Sequence, residues 1–314
     1  MKSSMRVIFY INKGVHLLDL AGAVQSFYVS GQYGKPYEIL YVADEAEPVC
    51  SVGLRFMELV HYSEVTVQEG DMVFVAGLNL RHPDAARKPM FWDWLKNAVK
   101  AKASVCSICT GAFLLAEAGL LEGRMCTTHW GSTGRLQREY PNLKVLTNRL
   151  FVRDGNIYTS AGGATGLDLA LHLLEERHGP EFAFKIAREM VVYIRRDGSE
   201  SQESVYLQYR AHVNEPIHAV QDWMILHLQE KIRIEDLAGL IFTSTRNLTR
   251  LFKATTGVTV GEYLEKLRVE KAVQLLKQGA KIGTIPQQCG LKSANQLRSM
   301  LKKHTGRLPS ELMV

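Results

Sequence analysis

The last third of the chain repeats one pattern, and that pattern constrains the fold more than any other feature. A short apolar segment, a turn, a serine and an amphipathic helix occur twice, separated by a longer helical stretch. The first copy runs Leu237-Ala238, Phe242-Thr243-Ser244, then Thr245 to Lys253; the second runs from Ile285 to Gly290, then Ser293 to Lys303. Ser244 and Ser293 are N-cap residues, whose hydroxyls can accept from the free backbone N–H groups of a first helical turn. Leu248, Leu251 and Phe252 recur at helical spacing and predict an inward face, as do Leu297, Met300 and Leu301. Ser244, Thr245, Arg246, Thr249, Arg250 and Lys253 are left outward in the first copy, and Ser293, Ala294, Asn295, Gln296, Arg298, Ser299, Lys302 and Lys303 in the second.

These outward residue types suit duplex DNA. Arg can grip guanine through O6 and N7, Asn and Gln match adenine, and Thr can bond a base edge or touch a thymine methyl. Tyr263, Leu264, Leu267, Ala272, Leu275 and Leu276 predict one helix over residues 261–278 that holds the two readers at a fixed separation. Pro286 fits a helix start if Thr284 is the N-cap, since the first turn needs no N–H there. An ordinary helical bundle with a solvated charged face is the bland alternative, and charge argues against it. From Arg210 onward there are 16 Lys and Arg against 9 Asp and Glu, whereas the first 209 residues hold 22 against 23. The whole basic excess falls in the segment expected to meet phosphate.

Residues 6–195 predict a single α/β domain. Apolar runs at 7–11, 39–42, 72–75, 105–108 and 157–159 suggest buried strands, and helical patterns at 20–29, 91–100, 113–118 and 167–177 alternate with them. That alternation implies a largely parallel sheet covered on both faces. In Val105-Cys106-Ser107-Ile108-Cys109-Thr110-Gly111 a strand gives way to a helix at Cys109. A residue on such a turn stands above the sheet beside a helix N-terminus, which is expected to lower a thiol's pKa. His129 supplies a nearby candidate base and Asp19 a candidate acid. A buried, inert cysteine and a Cys106–Cys109 redox pair are the alternatives; Cys106 belongs to the strand and is expected to point into the core. No second Cys or His pair gives the spacing of a metal site, so neither metal nor cofactor is expected.

The C-terminal third resembles the AraC family of bacterial transcription regulators. Leu237-Ala238, Ser244, Arg246, Leu248 to Lys253, Gly257, Tyr263-Leu264, Leu267-Arg268, Ala272, Leu275-Leu276, Ile285, Cys289-Gly290 and Gly306 to Pro309 carry the resemblance. It departs at Pro286, usually Ala; at Leu291 and Leu301, often Phe; at Ser299, often Arg; and at Phe242, usually Gly or another small residue. The front domain resembles the PfpI-type branch of the class I glutamine amidotransferase-like superfamily. That resemblance rests on Gly14, Asp19 to Gly22, Cys109-Thr110-Gly111, Leu120, Thr127 to Trp130, Thr159 to Gly162 and Asp168 to Leu171. It implies a flavodoxin-like sandwich with a cysteine on a nucleophile elbow. Asp19 stands where the family's enzymes usually have Glu, and Ala76-Gly77 where a Gly-Gly pair is common.

Together the resemblances imply a sensor domain at 1–195, a polar linker at 196–214 and an all-α double helix-turn-helix reader at 215–314. They imply a transcription regulator that is not an enzyme, with Asp19, Cys109 and His129 as vestiges of a catalytic set. Asp19, Gly77, Cys109, Thr110, His129 and Trp130 would line an effector cleft. The first N–H groups after Cys109 suit a carboxylate, and Trp130 suits a cationic amine, so an amino acid or quaternary amine is the expected effector. Operator DNA, RNA polymerase and a second copy of the chain are the expected partners. A cysteine hydrolase tethered to DNA and a thiol redox sensor are the competing readings. Five cysteines, no leader-like segment and no run of 18 apolar residues point to a cytoplasmic protein without a membrane span.

Overall fold

The computed structural model describes residues 5–77, 89–192, 196, 198, 202, 204–210, 212–277 and 279–312. The chain divides into two compact units, Met1–Gln202 and Glu203–Val314.

The front unit runs β1 (Met5–Tyr10), α1 (Leu17–Gln32), β2 (Tyr37–Ala43), β3 (Val60–His61), β4 (Met72–Val75), α2 (Pro89–Lys100), β5 (Ser104–Ile108) and α3 (Gly111–Glu117). It continues with β6 (Met125–Cys126), α4 (Thr133–Glu139), β7 (Lys144–Val145), β8 (Phe151–Asp154), β9 (Ile157–Ser160), α5 (Thr165–His178) and α6 (Pro180–Glu189). Seven strands form one sheet in the order β3-β2-β1-β4-β5-β9-β8, with β6 and β7 paired separately. Every pairing in the large sheet is parallel except β8 with β9.

The five expected strands are all present, because β1, β4, β5 and β9 are buried on both faces and spell continuous apolar runs. On one face Phe9, Phe27 and Phe74 pack with Leu169 and Leu173 of α5. On the other Tyr10, Val73 and Val75 meet Phe91 and Leu95 of α2 and Leu115 of α3. Strands β2 and β4 flank β1 on opposite sides, so the order reverses there, the place where open α/β sheets bind ligands at the strands' carboxyl ends. Gly77 and Cys109 both follow strands that end on that rim. The sequence reading missed β3, β6, β7, β8, α4 and α6. Of these α6 had a usable signal: Gly179-Pro180 before Ala183, Ile186 and Ala187, all three buried.

The second unit runs α7 (Val205–Gln208), α8 (Glu215–Leu226), α9 (Ile234–Leu240), α10 (Thr245–Thr256), α11 (Val260–Lys277), α12 (Ile285–Gln288) and α13 (Ala294–Thr305). Its two halves have separate cores. Leu237, Leu248, Phe252, Tyr263 and Leu267 form the first; Ala272, Leu276, Ile285, Leu297 and Leu301 form the second. The expected caps are in place, with Ser244 Oγ accepting from Asn247 N–H at 3.2 Å and Ser293 Oγ from Gln296 N–H at 3.3 Å. Thr284 does occupy the N-cap of α12 with Pro286 in its first turn, but its hydroxyl donates back to the Lys281 carbonyl. The expected last residue of α11, Gln278, lies outside the described residues. Phe242 sits at φ 53°, the left-handed conformation that explains why a glycine is usual at that turn position, and its ring is 99% exposed.

Candidate functional site

The elbow exists. Cys109 has φ 56°, a left-handed conformation for a non-glycine residue, between the end of β5 and the start of α3. Such strain persists only where surrounding structure fixes it. Here Cys109 N–H donates to Ser160 O at 3.0 Å, and Cys109 O accepts from Thr128 Oγ at 2.8 Å. Three glycines make room for the turn. A Cβ on Gly77 would stand 2.5 Å from Asp19 Oδ2, 2.9 Å from Cys109 Cβ and 3.1 Å from Thr110 Oγ1. One on Gly162, at φ 91°, would stand 2.3 Å from Cys109 Cβ and 2.7 Å from its Sγ, and one on Gly111 2.2 Å from Val75 O. Asp19, Gly77, Cys109 and Thr110 therefore converge.

The electrostatics differ from the expectation. Burial, and then the neighbouring Asp19 carboxyl, push the Cys109 thiol up to about 12, outweighing the Thr110 N–H that favours the thiolate. The expected lowering by the start of α3 is outweighed because the thiol is desolvated beside an acid. Cys106 is wholly buried, as expected, and its thiol is likewise raised by burial. Asp19 is also raised, chiefly by burial and against the hydrogen bond its Oδ1 accepts from Gly163 N–H. A carboxyl raised in the folded state stabilises the fold most below its unfolded pKa, and that contribution is lost as pH rises through the folded pKa. Asp19→Asn keeps the acceptor for Gly163 and removes the titration. Wild type should therefore lose stability relative to Asp19→Asn as pH rises above the usual carboxylate range, measured by paired urea melts; a constant difference would contradict the raised pKa.

His129 caps the turn after Thr128, its Nδ1 accepting from Gly131 N–H at 3.3 Å. The Trp130 ring lies 5.2 Å from His129 and is 54% exposed, available to a ligand. Sequence reasoning missed Gly163 and Asn12, whose Nδ2 donates to Ala76 O at 3.0 Å and fixes the rim beside Gly77. Both contacts join residues far apart in sequence, and no local signal announces them. Among the described residues, no group of three or more His, Cys, Asp and Glu side chains could hold a metal ion, and no helix is long and apolar enough to cross a membrane.

In the second unit, Arg246, Thr249, Arg250 and Lys253 are exposed along α10, and Thr245 is half-buried; these residues line an open depression with Ile234. On α13, Asn295, Gln296, Arg298 and Lys302 are exposed and Ala294 is half-buried. Each helix holds one Arg in place through an Asn: Arg250 donates to Asn247 Oδ1 and Arg298 to Asn295 Oδ1, both at 3.0 Å. Several groups expected to be free are engaged. The Thr249 hydroxyl donates to Thr245 O, Gln296 Oε1 accepts from Lys292 N–H, and Lys303 pairs with Glu265 at 3.0 Å.

Residues 5–176 match the DJ-1/PfpI family, and residues 237–313 match a helix-turn-helix domain of the AraC type. The chain belongs to the DJ-1/PfpI family. It is 33% identical over 207 residues to the HTH-type transcriptional regulator GbdR of Pseudomonas aeruginosa, covering 65% of this chain and 56% of that one. It is 32% identical over 247 residues to the HTH-type transcriptional regulator CdhR of the same organism, covering 78% and 72%. The crystal structure of an AraC family transcriptional regulator from Pseudomonas putida superposes with a TM-score of 0.53 at 17% identity, over 59% of this chain and 99% of that one. The family's fold is the flavodoxin-like arrangement seen in the front unit.

Proposed function

We propose that the protein is a sequence-specific, DNA-binding transcription regulator whose front domain senses a small metabolite. The observation that carries this reading is the pair of capped helices, α10 and α13, that present Arg, Thr, Asn and Gln from a unit with its own cores and the chain's whole basic excess. Ser244, Thr245, Arg246, Thr249, Arg250, Lys253, Ser293, Ala294, Asn295, Gln296, Arg298 and Lys302 form the DNA-facing set. The sensor occupies the front unit, to Gln202, and the reader the second, so the stretch 196–214 that reads as a linker is shared between them. It acts in the cytoplasm as a homodimer.

Cys109 serves binding and not turnover. Nucleophilic and oxidant-sensing cysteines act as thiolates, and a thiol raised to about 12 is almost wholly protonated at neutral pH. Asp19, Gly77, Cys109, Thr110, His129 and Trp130 line the effector cleft. Its wet end carries an exposed indole suited to a cationic amine, which favours an amino acid or a quaternary amine. Calorimetric titration of amino acids and betaines into the full chain tests this. Cys109→Ser and His129→Ala should weaken binding tenfold or more, about 1.4 kcal/mol, since each alters a cleft wall. Product formation from amide substrates, lost in Cys109→Ser, would instead establish an enzyme.

A further inference from the structure

The segment after α6 reads as a polar linker, yet three of its residues are built into the front domain. Arg196 donates to the Asp168 carboxylate at 2.5 Å, and Asp168 is buried in the first turn of α5. Gly198 lies so close to Phe151 that an added Cβ would stand 2.5 Å from its carbonyl oxygen. Gln202 aims its Nε2 at three oxygens: Thr127 Oγ1 at 3.1 Å, Thr128 O at 2.9 Å and Arg149 O at 3.0 Å. Its own N–H donates to Asn148 Oδ1 at 3.2 Å.

Two of the places where these residues land, Thr128 and the first turn of α5, adjoin the cleft. Thr128 holds the elbow through its bond to Cys109 O, and His129 is the next residue. Helix α5 opens just beyond Gly162 and Gly163, which touch Cys109 and Asp19. On the far side of the unit boundary, the Ser204 hydroxyl and Val205 N–H both donate to Glu270 on α11, the helix between the two reading helices. Only one residue separates Gln202 from Ser204.

We propose that Gln202 is the positioning residue that passes the state of the cleft to the DNA reader. A ligand that moves Thr128 or His129 alters the cradle of the Gln202 amide. The tether held by Glu270 then gains or loses its fixed end. This inference rests on reading the Cys109 cleft as an effector site. Coupling between sites of this kind typically changes affinity by about 5–150-fold and needs differential contacts in two states, which a docked and a released Gln202 supply.

The test uses the full chain on an operator duplex selected with it. Gln202→Glu turns a carboxylate toward three oxygens and cannot donate; Gln202→Lys keeps a donor of similar reach. Without any small molecule, Gln202→Glu should change operator affinity about fivefold or more and raise amide exchange in residues 204–210, while Gln202→Lys stays within about twofold of wild type. Gln202→Ala serves if the glutamate variant does not fold. Glycine betaine and L-arginine are then added as probes. In Gln202→Glu a probe that binds by calorimetry should no longer change operator affinity. Operator affinity within twofold of wild type in both Gln202→Glu and Gln202→Ala, even with a lowered melting temperature, would reduce Gln202 to a structural bond and overturn the proposal. If neither probe binds wild type, the proposed effector class fails, and the ligand-free comparison still decides the role of Gln202.

Discussion

Gly111→Ala should destabilise the front domain by about 3 kcal/mol, the upper end of ordinary overpacking. The new methyl would stand 2.2 Å from the Val75 carbonyl and 3.1 Å from that of Ala76. Neither atom can retreat cheaply. Val75 is wholly buried, and β4 is paired on both sides, with β1 through Tyr10 and with β5 through Ser107. The strain must therefore move α3, and with it Thr110 and the elbow. For a domain of this size the loss corresponds to a fall of roughly 6–12 °C in melting temperature. Gly53→Ala is the converse control: its φ is positive, at 87°, but nothing lies within 4 Å, so only the backbone penalty of about 1 kcal/mol applies. Equal losses in the two variants would mean that α3 does not pack on β4 as described. Gly162→Ala combines both costs, and its clash falls on Cys109 itself, so it should also abolish ligand binding in the cleft.

The parts of this molecule that were legible in the sequence are those whose physics is local. Strands β1, β4, β5 and β9 are buried on both faces and announce themselves as apolar runs. The caps at Ser244 and Ser293 need only a side chain and an N–H three residues on, which the order of residues already specifies. Strand β8 was missed because its four residues, Phe151–Asp154, show no alternation, two buried apolar residues being followed by two polar ones, and β6 and β7 have two residues each. The elbow at Cys109 was legible, but its thiol chemistry was not: the raised pKa depends on burial and on Asp19, brought in from 90 positions away. Residues 196–214 looked like a linker because polar composition does not show what a side chain meets. Thr127, Arg149 and Asp168 become the partners of Gln202 and Arg196 only once the sheet has formed.

The DNA interface carries the other large expected effect, because its charge makes binding steeply dependent on salt. Each phosphate neutralised by Lys or Arg releases condensed counterions, so log K falls by roughly 0.9 per contact for each unit rise in log salt. If two reading helices make six or more such contacts, affinity drops by roughly a thousandfold or more between 50 and 200 mM salt. Sequence reading is a separate matter. Arg246 is exposed on the outward face of α10, so Arg246→Ala should cost about 1–3 kcal/mol at one base pair and leave the other positions unchanged. The most direct measurement is selection of duplexes from a random pool by the full chain, followed by titration of the enriched duplex at several salt concentrations with wild type and Arg246→Ala. This account predicts an enriched motif, a steep negative salt slope, and relaxed preference at a single position in the variant. No enriched motif, or binding indifferent to salt, would contradict it.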